Sequence, residues 1–175
     1  MPFTPRLTAA GIRSSAYWYS NGNIYYATGY GMPNCTCYAY GRAAEIMNGF
    51  VNLPMGNGGQ WWDRVDSSFL KGQSPALGAV ICFHHPSGAH AGHVAIVEVI
   101  NADGSIITSN SAWRGTYFWT ENLYPSNGYL APWAVRRGYV VQGFIYLTDE
   151  PPDPRPTPTG ERRKMPFIYY LKKFN

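Results

Sequence analysis

An α+β domain, with N-terminal helices packed on a mainly antiparallel β-sheet, is the fold class this chain predicts. Three observations point there. Apolar residues recur at helical spacing between Thr36 and Phe50, the period changes to two from Gly78 onward, and the later apolar runs are separated by turn residues rather than helices. At 175 residues, with 45% of them hydrophobic, the chain has enough core for one domain that folds alone.

The elements follow in order. A loop punctuated by Gly29, Gly31 and Pro33 runs into a helix over residues 36–48, where Ala39, Ala43, Ile46 or Met47, and Phe50 are spaced to line one buried face. Gly49 supplies the stop. Residues 52–59 read as loop, and residues 60–70 hold a second short helix with Trp61, Trp62 and Val65 turned inward. Strands are expected over residues 79–83, 93–100, 105–110, 116–120 and 140–147. After Leu147 the composition shifts. The domain is expected to occupy residues 1–148, followed by a proline-stiffened linker over 149–160 and a basic, aromatic tail over 161–175 that is too short for a second domain.

Composition narrows the function classes. No apolar run is long enough to span a bilayer, and Met1-Pro2-Phe3-Thr4-Pro5-Arg6 lacks the basic-then-apolar pattern of a secretory signal. The net charge of +4 and pI near 9.0 suit an anionic partner, although many soluble domains share that balance. Nucleic acid is not expected: the aromatics are scattered, and the dense basic run lies in the tail. Cys35 and Cys37 are too close for an ordinary disulfide, and pairing either with Cys82 leaves one cysteine over. The three also lack structural-zinc spacing. Cys37 and Cys82 therefore read as small buried packing residues.

Cys35 is different. It falls where a loop becomes a helix, so unpaired backbone N–H groups and the positive end of the helix dipole should lie beside its sulfur and lower its pKa. His93 opens an apolar strand pattern directly after Gly92 and is the candidate base, whereas His84, His85 and His90 belong to the loop around Pro86-Ser87-Gly88. A turn at Asn101-Ala102-Asp103-Gly104 makes the flanking strands a hairpin. A two- or four-residue turn puts Asn110 on the face of His93 and Glu98 on the other; a three-residue turn with a bulge inverts this. Asn110 is taken as the group that fixes the imidazole tautomer, and Glu98 as a surface or structural carboxylate. For the oxyanion of a tetrahedral intermediate the Cys35 N–H is the first donor. The Asn34 side chain is either the second donor or a cap for the helix. Among the aromatics Tyr30, Trp62 and Trp113 are the candidates for contact with substrate, with core packing as the alternative for each.

These parts, Cys35 at a helix start, His93 on one strand and Asn110 on the next, are those of a papain-type thiol hydrolase. The chain closely resembles the CHAP family, the cysteine- and histidine-dependent amidohydrolase/peptidases, over roughly residues 17–147. The blocks that carry the likeness are Tyr30-Gly31-Met32-Pro33-Asn34-Cys35-Thr36, Leu77-Gly78-Ala79-Val80-Ile81-Cys82, the His93 strand, Ser109-Asn110-Ser111-Ala112-Trp113 and Gln142-Gly143-Phe144-Ile145-Tyr146. Within the family it looks most like the lytic enzymes of phages and prophages of Gram-positive bacteria. The resemblance implies a papain-like fold and a peptidoglycan hydrolase acting through a covalent cysteine intermediate. Either N-acetylmuramoyl-L-alanine amidase or stem or cross-bridge endopeptidase activity is implied. Family members often carry Glu or Asp at the orienting position taken here by Asn110. Some bind calcium through acidic residues upstream of the cysteine; this chain has no Asp or Glu before Glu45, so neither metal nor other cofactor is expected. Peptidoglycan and anionic wall polymers are the implied partners, and a monomer is expected. A phage lysin would be made in the host cytoplasm and act on the wall after release. The alternative is a catalytically silent wall-binding or phage-tail module that keeps the fold without turnover.

Overall fold

The structure is a computed structural model that describes residues 3–148; the linker and tail expected over 149–160 and 161–175 lie outside the described residues. Four short-to-medium helices, α1 (Ile24–Ala27), α2 (Cys35–Ile46), α3 (Trp61–Arg64) and α4 (Pro132–Arg136), accompany six strands. These are β1 (Lys71–Gly72), β2 (Val80–His84), β3 (His93–Ile100), β4 (Ile106–Asn110), β5 (Trp119–Leu123) and β6 (Val140–Ile145). All neighbours pair antiparallel in the order β1-β6-β2-β3-β4-β5. The α+β class read from the sequence holds.

Both faces of the central strands are covered, which is why β2 and the first part of β3 read as unbroken apolar runs. One face, with Val80, Cys82, Val94, Ile96 and Ile145, packs under Ala39 and Ala43 of α2 and under Trp61. The other, with Ile81, Phe83, Ala95, Val97 and Phe144, packs on Ala131, Ala134 and Tyr139 around α4. Cys37 and Cys82 are fully buried within the first of these layers, as expected for packing residues.

Local chemistry explains where the element boundaries differ from expectation. Helix α2 starts one residue early because Asn34, in extended backbone, accepts from the Thr36 and Cys37 N–H groups and caps it. It ends at Ile46, with Asn48 in the left-handed region (φ 51°). Met47 and Phe50 are therefore not on its buried face; both are exposed, and the Phe50 ring lies edge-on to Tyr17. The second helix is a single turn. Asp66 folds the chain back on itself by accepting from the Ser68 N–H (2.9 Å), and this local bond competes with helix continuation. The released chain adds β1 to the sheet edge beside β6. The last hairpin strand begins at Trp119 rather than residue 116, because residues 111–118 close a loop through the Ala112 N–H to Thr116 carbonyl bond.

The β3–β4 hairpin decides the geometry of the site. Ile100 pairs with Ile106, which leaves a five-residue connection, and the register shifts between Val97 and Val99 so that Glu98 is the extra residue of a bulge. Either feature alone would put Asn110 on the face opposite His93; together they cancel, and Asn110 shares its face. Glu98 follows Val94 and Ile96 onto the α2 face, opposite His93, where it is fully buried rather than on the surface. Its carboxylate accepts from Arg42 Nε (2.9 Å) and a second guanidinium nitrogen (2.8 Å), from Ser109 Oγ (2.7 Å) and from the Arg6 N–H (2.8 Å). Arg42 and Arg6 also meet Glu45.

Glu98→Ala leaves the Arg42 guanidinium buried without its main partner. A loss of about 3–5 kcal/mol of stability is expected, measured by urea unfolding against the wild-type chain.

Candidate active site

Helix α2 presents Cys35 as its first residue. The Asn34 side chain serves the N–H groups of Thr36 and Cys37, so the Cys35 N–H is not among the capped donors. Cys35 is only partly exposed and packs against the core layer between α2 and the sheet.

On the facing strand, His93 Nε2 lies 3.1 Å from Asn110 Oδ1. The amide nitrogen of Asn110 faces the Thr108 carbonyl (3.2 Å) and hydroxyl (3.0 Å). A carbonyl oxygen only accepts, so the NH₂ end of the amide must face Thr108 and Oδ1 must face the imidazole. His93 therefore carries its proton on Nε2, and Nδ1 is left as the free lone pair. The ring is boxed by aromatic neighbours, with centroids 5.9 Å from Phe83, 5.9 Å from Trp119 and 5.0 Å from Trp133. Gly92 lets this strand start where it does. Its φ of 75° is left-handed, and a Cβ there would come within 2.3 Å of the Gly59 nitrogen and 2.5 Å of the Phe83 carbonyl oxygen.

Cys35 and His93 line one cleft of about 890 Å³, together with Tyr30, Trp113, Trp119, Trp133, Arg137 and the Gly56–Gly58 loop. The profile of the CHAP domain family matches residues 25–112, just over half of the 175-residue chain, and takes in Cys35, His93 and Asn110. The chain belongs to the CHAP domain family. Over 97 residues it is 33% identical to a probable autolysin of Staphylococcus aureus, a match covering 55% of this chain and 32% of that protein. Over 85 residues it is 31% identical to an N-acetylmuramoyl-L-alanine amidase domain-containing protein of the same species, covering 46% of this chain and 14% of the relative. A solved N-acetylmuramoyl-L-alanine amidase from Staphylococcus aureus superposes with a TM-score of 0.47 at 26% identity, over 65% of this chain and 32% of that one. The chain thus spans about a third or less of the length of these proteins.

Other candidates in this CHAP domain fall into place around the cleft. Tyr30 and Trp113 line it, are half exposed, and lie with ring centroids 5.8 Å apart. Trp62 does not line it. Its ring covers Gly143, where a Cβ would come within 2.6 Å of it, and takes the Lys71 ammonium at 4.9 Å; the expected substrate contact is a packing residue at the β6 edge. The Asn34 side chain is held as a cap, with its amide nitrogen also donating to the Tyr30 carbonyl (3.0 Å), which leaves the Cys35 N–H as the donor at the helix start that Asn34 does not cap. His90 lines the cleft but is exposed and meets only the rings of His85 and Tyr139. Among the described residues no group of three or more His, Cys, Asp or Glu side chains is placed to hold a metal.

Two residues escaped sequence reasoning. Thr108 orients Asn110 from two positions back, while Trp119, together with Trp133, walls the imidazole. Glu121 Oε2 accepts from both indole N–H groups, at 3.1 and 3.3 Å, and so fixes the two walls relative to each other. The clue lay in pairing: Asn110 stands opposite Trp119 once β5 is placed in its true register.

The protonation states also differ from expectation. Burial pushes the Cys35 thiol up to about 11, outweighing the opposing pull of the backbone N–H groups of Val94, Thr36 and Cys35. Burial holds the His93 imidazole down at about 4, against the opposing effect of its Asn110 bond, and the Arg137 charge adds to the depression. Both shifts favour the neutral thiol and the neutral imidazole over the ion pair that a helix start suggests. Since the thiolate forms only as pH rises towards about 11, iodoacetamide labelling of Cys35 should accelerate steadily from neutral into alkaline solution. Peptide mass spectrometry of labelling rates checks this; a plateau already reached in acid would mean a preformed thiolate.

Proposed function

We propose that this chain is a peptidoglycan hydrolase that cleaves an amide bond of the bacterial cell wall through a Cys35 thioester. One observation carries the reading: a cysteine at a capped helix start and a histidine locked by an asparagine in a single tautomer line the same cleft. Membership of the CHAP family and similarity to an autolysin and an amidase-domain protein support the wall as the substrate.

In this mechanism substrate binds along the cleft and excludes water. His93 Nδ1 takes the thiol proton as Cys35 Sγ attacks the carbonyl carbon, and the Cys35 N–H donates to the developing oxyanion. The imidazolium, its Nε2–H held by Asn110, returns the proton to the departing amine and leaves a thioester. Water, deprotonated by the same nitrogen, attacks that thioester, releases the new carboxylate and restores the thiol. The neutral resting pair makes His93 a general base at the moment of attack.

Amidase and endopeptidase cleavage use this chemistry alike and differ in how the substrate lies in the cleft. A phage or prophage endolysin is the proposed origin, favoured by the blocks around Asn34 and Trp113; it entails synthesis in the host cytoplasm and action on the wall after release. A silent wall-binding module has no use for the orienting bond between His93 and Asn110.

Fragments released from purified Gram-positive peptidoglycan, analysed by mass spectrometry, test the proposal. Stem peptides freed from intact sugars identify an amidase, new peptide termini an endopeptidase, and Cys35→Ala should abolish either product. Walls of several chemotypes yielding no Cys35-dependent product would sink the hydrolase reading in favour of the binding module. In the same assay Asn110→Ala frees the imidazole to take the wrong tautomer or tilt, and turnover should fall by about 10²-fold.

A further inference from the structure

We propose that Arg137 recognises a carboxylate on the peptide part of the substrate. This rests on the hydrolase reading above and adds the chemical feature for which the cleft selects.

Arg137 brings a full positive charge to a cleft otherwise lined by aromatic, imidazole, glycine, amide, Met55 and small side chains, and neither Asp nor Glu lines it. Among the described residues no carboxylate lies within ion-pair distance of its guanidinium. The other well-placed arginines are engaged. Arg6 and Arg42 sit in the Glu45 and Glu98 network, while Arg13 and Arg114 lie over the rings of Tyr117 and Trp113.

The Arg137 backbone is anchored. Its N–H donates to the carbonyls of Trp133 and Ala134 (3.2 and 3.1 Å), and the left-handed Gly138 that follows turns the chain so that the Tyr139 N–H returns to Ala134 (3.0 Å). Trp133 and Tyr139, which bracket it in sequence, also line the cleft. A role in offsetting the end of α4 is already filled by Arg136 in its last turn, and a five-residue helix has little dipole to offset. The Arg137 charge is close enough to His93 to oppose its protonation, which places it within electrostatic reach of the reacting atoms. A planar guanidinium with free donors and no internal acceptor matches a carboxylate in both charge and shape. Stem peptides carry such groups, and a carboxamide at the same position has the shape without the charge.

The test uses soluble muropeptides in which each free carboxylate in turn is replaced by a carboxamide, turned over by the wild-type chain, R137Q and R137K. At one position the wild type should prefer the carboxylate by about tenfold or more in kcat/KM. R137Q should collapse that ratio towards one, and R137K should keep part of it. Equal turnover of every pair by the wild type, or a ratio that R137Q leaves unchanged, overturns the proposal. If no muropeptide is cleaved, the hydrolase reading fails by itself, and binding of the same peptides to the Cys35→Ala protein decides the inference. Tighter binding of the carboxylate form that R137Q removes supports it; equal binding of both forms overturns it.

Discussion

The buried contact between Glu98 and Arg42 is the constraint on which the site depends. Cys35 and Arg42 are on one helix, and His93 and Glu98 are on one strand. The bidentate pair therefore fixes the helix of Cys35 against the strand of His93 at a point seven residues along the helix and five along the strand. A buried ion pair is a poor source of net stability, since desolvation offsets most of its attraction. Its value here is registration: no apolar contact would tie the rotation of α2 to the position of β3 so tightly. The third hydrogen bond, from Ser109, brings β4 into the same arrangement, one residue from Asn110.

The bulge connects this network to the chemistry. Glu98 continues the α2-facing alternation of Val94 and Ile96, and as the extra residue of β3 it restores the register that an odd-length connection would have lost. One residue thus both locks the scaffold and places the orienting amide. The expectation that Asn110 meets His93 was correct for the final register, although it assumed a simple four-residue turn. Period-two patterning specifies which residues share a face only after the turn is known, and nothing in Asn101-Ala102-Asp103-Gly104-Ser105 announces a five-residue connection with a compensating bulge. The helix start at Cys35 and the strand start at His93 were legible because each rests on local chemistry, an Asn cap and a left-handed glycine. Met47 and Phe50 were misplaced for the opposite reason. Their positions depend on where a helix stops, and a left-handed Asn48 sets that end.

Electrostatics at the site turn on the same burial that makes it precise. A helix start favours thiolate, but its N–H groups act over short range and are outweighed when the sulfur sits at the floor of an apolar cleft. The imidazole is treated likewise by Phe83, Trp119 and Trp133. Protonating it would bury a cation away from water and near the Arg137 charge, which favours the neutral ring. In the proposed mechanism, neutral partners store no charge before substrate arrives, and the proton moves only when the carbonyl carbon is there to accept the sulfur. Asn110 is suited to this arrangement. An amide fixes the tautomer through one hydrogen bond without supplying the negative charge by which a carboxylate would pull the imidazole towards its protonated form. In the proposed mechanism the amide at the orienting position and the depressed imidazole act together: the histidine begins as a base and becomes an acid only after it has taken the proton from Cys35.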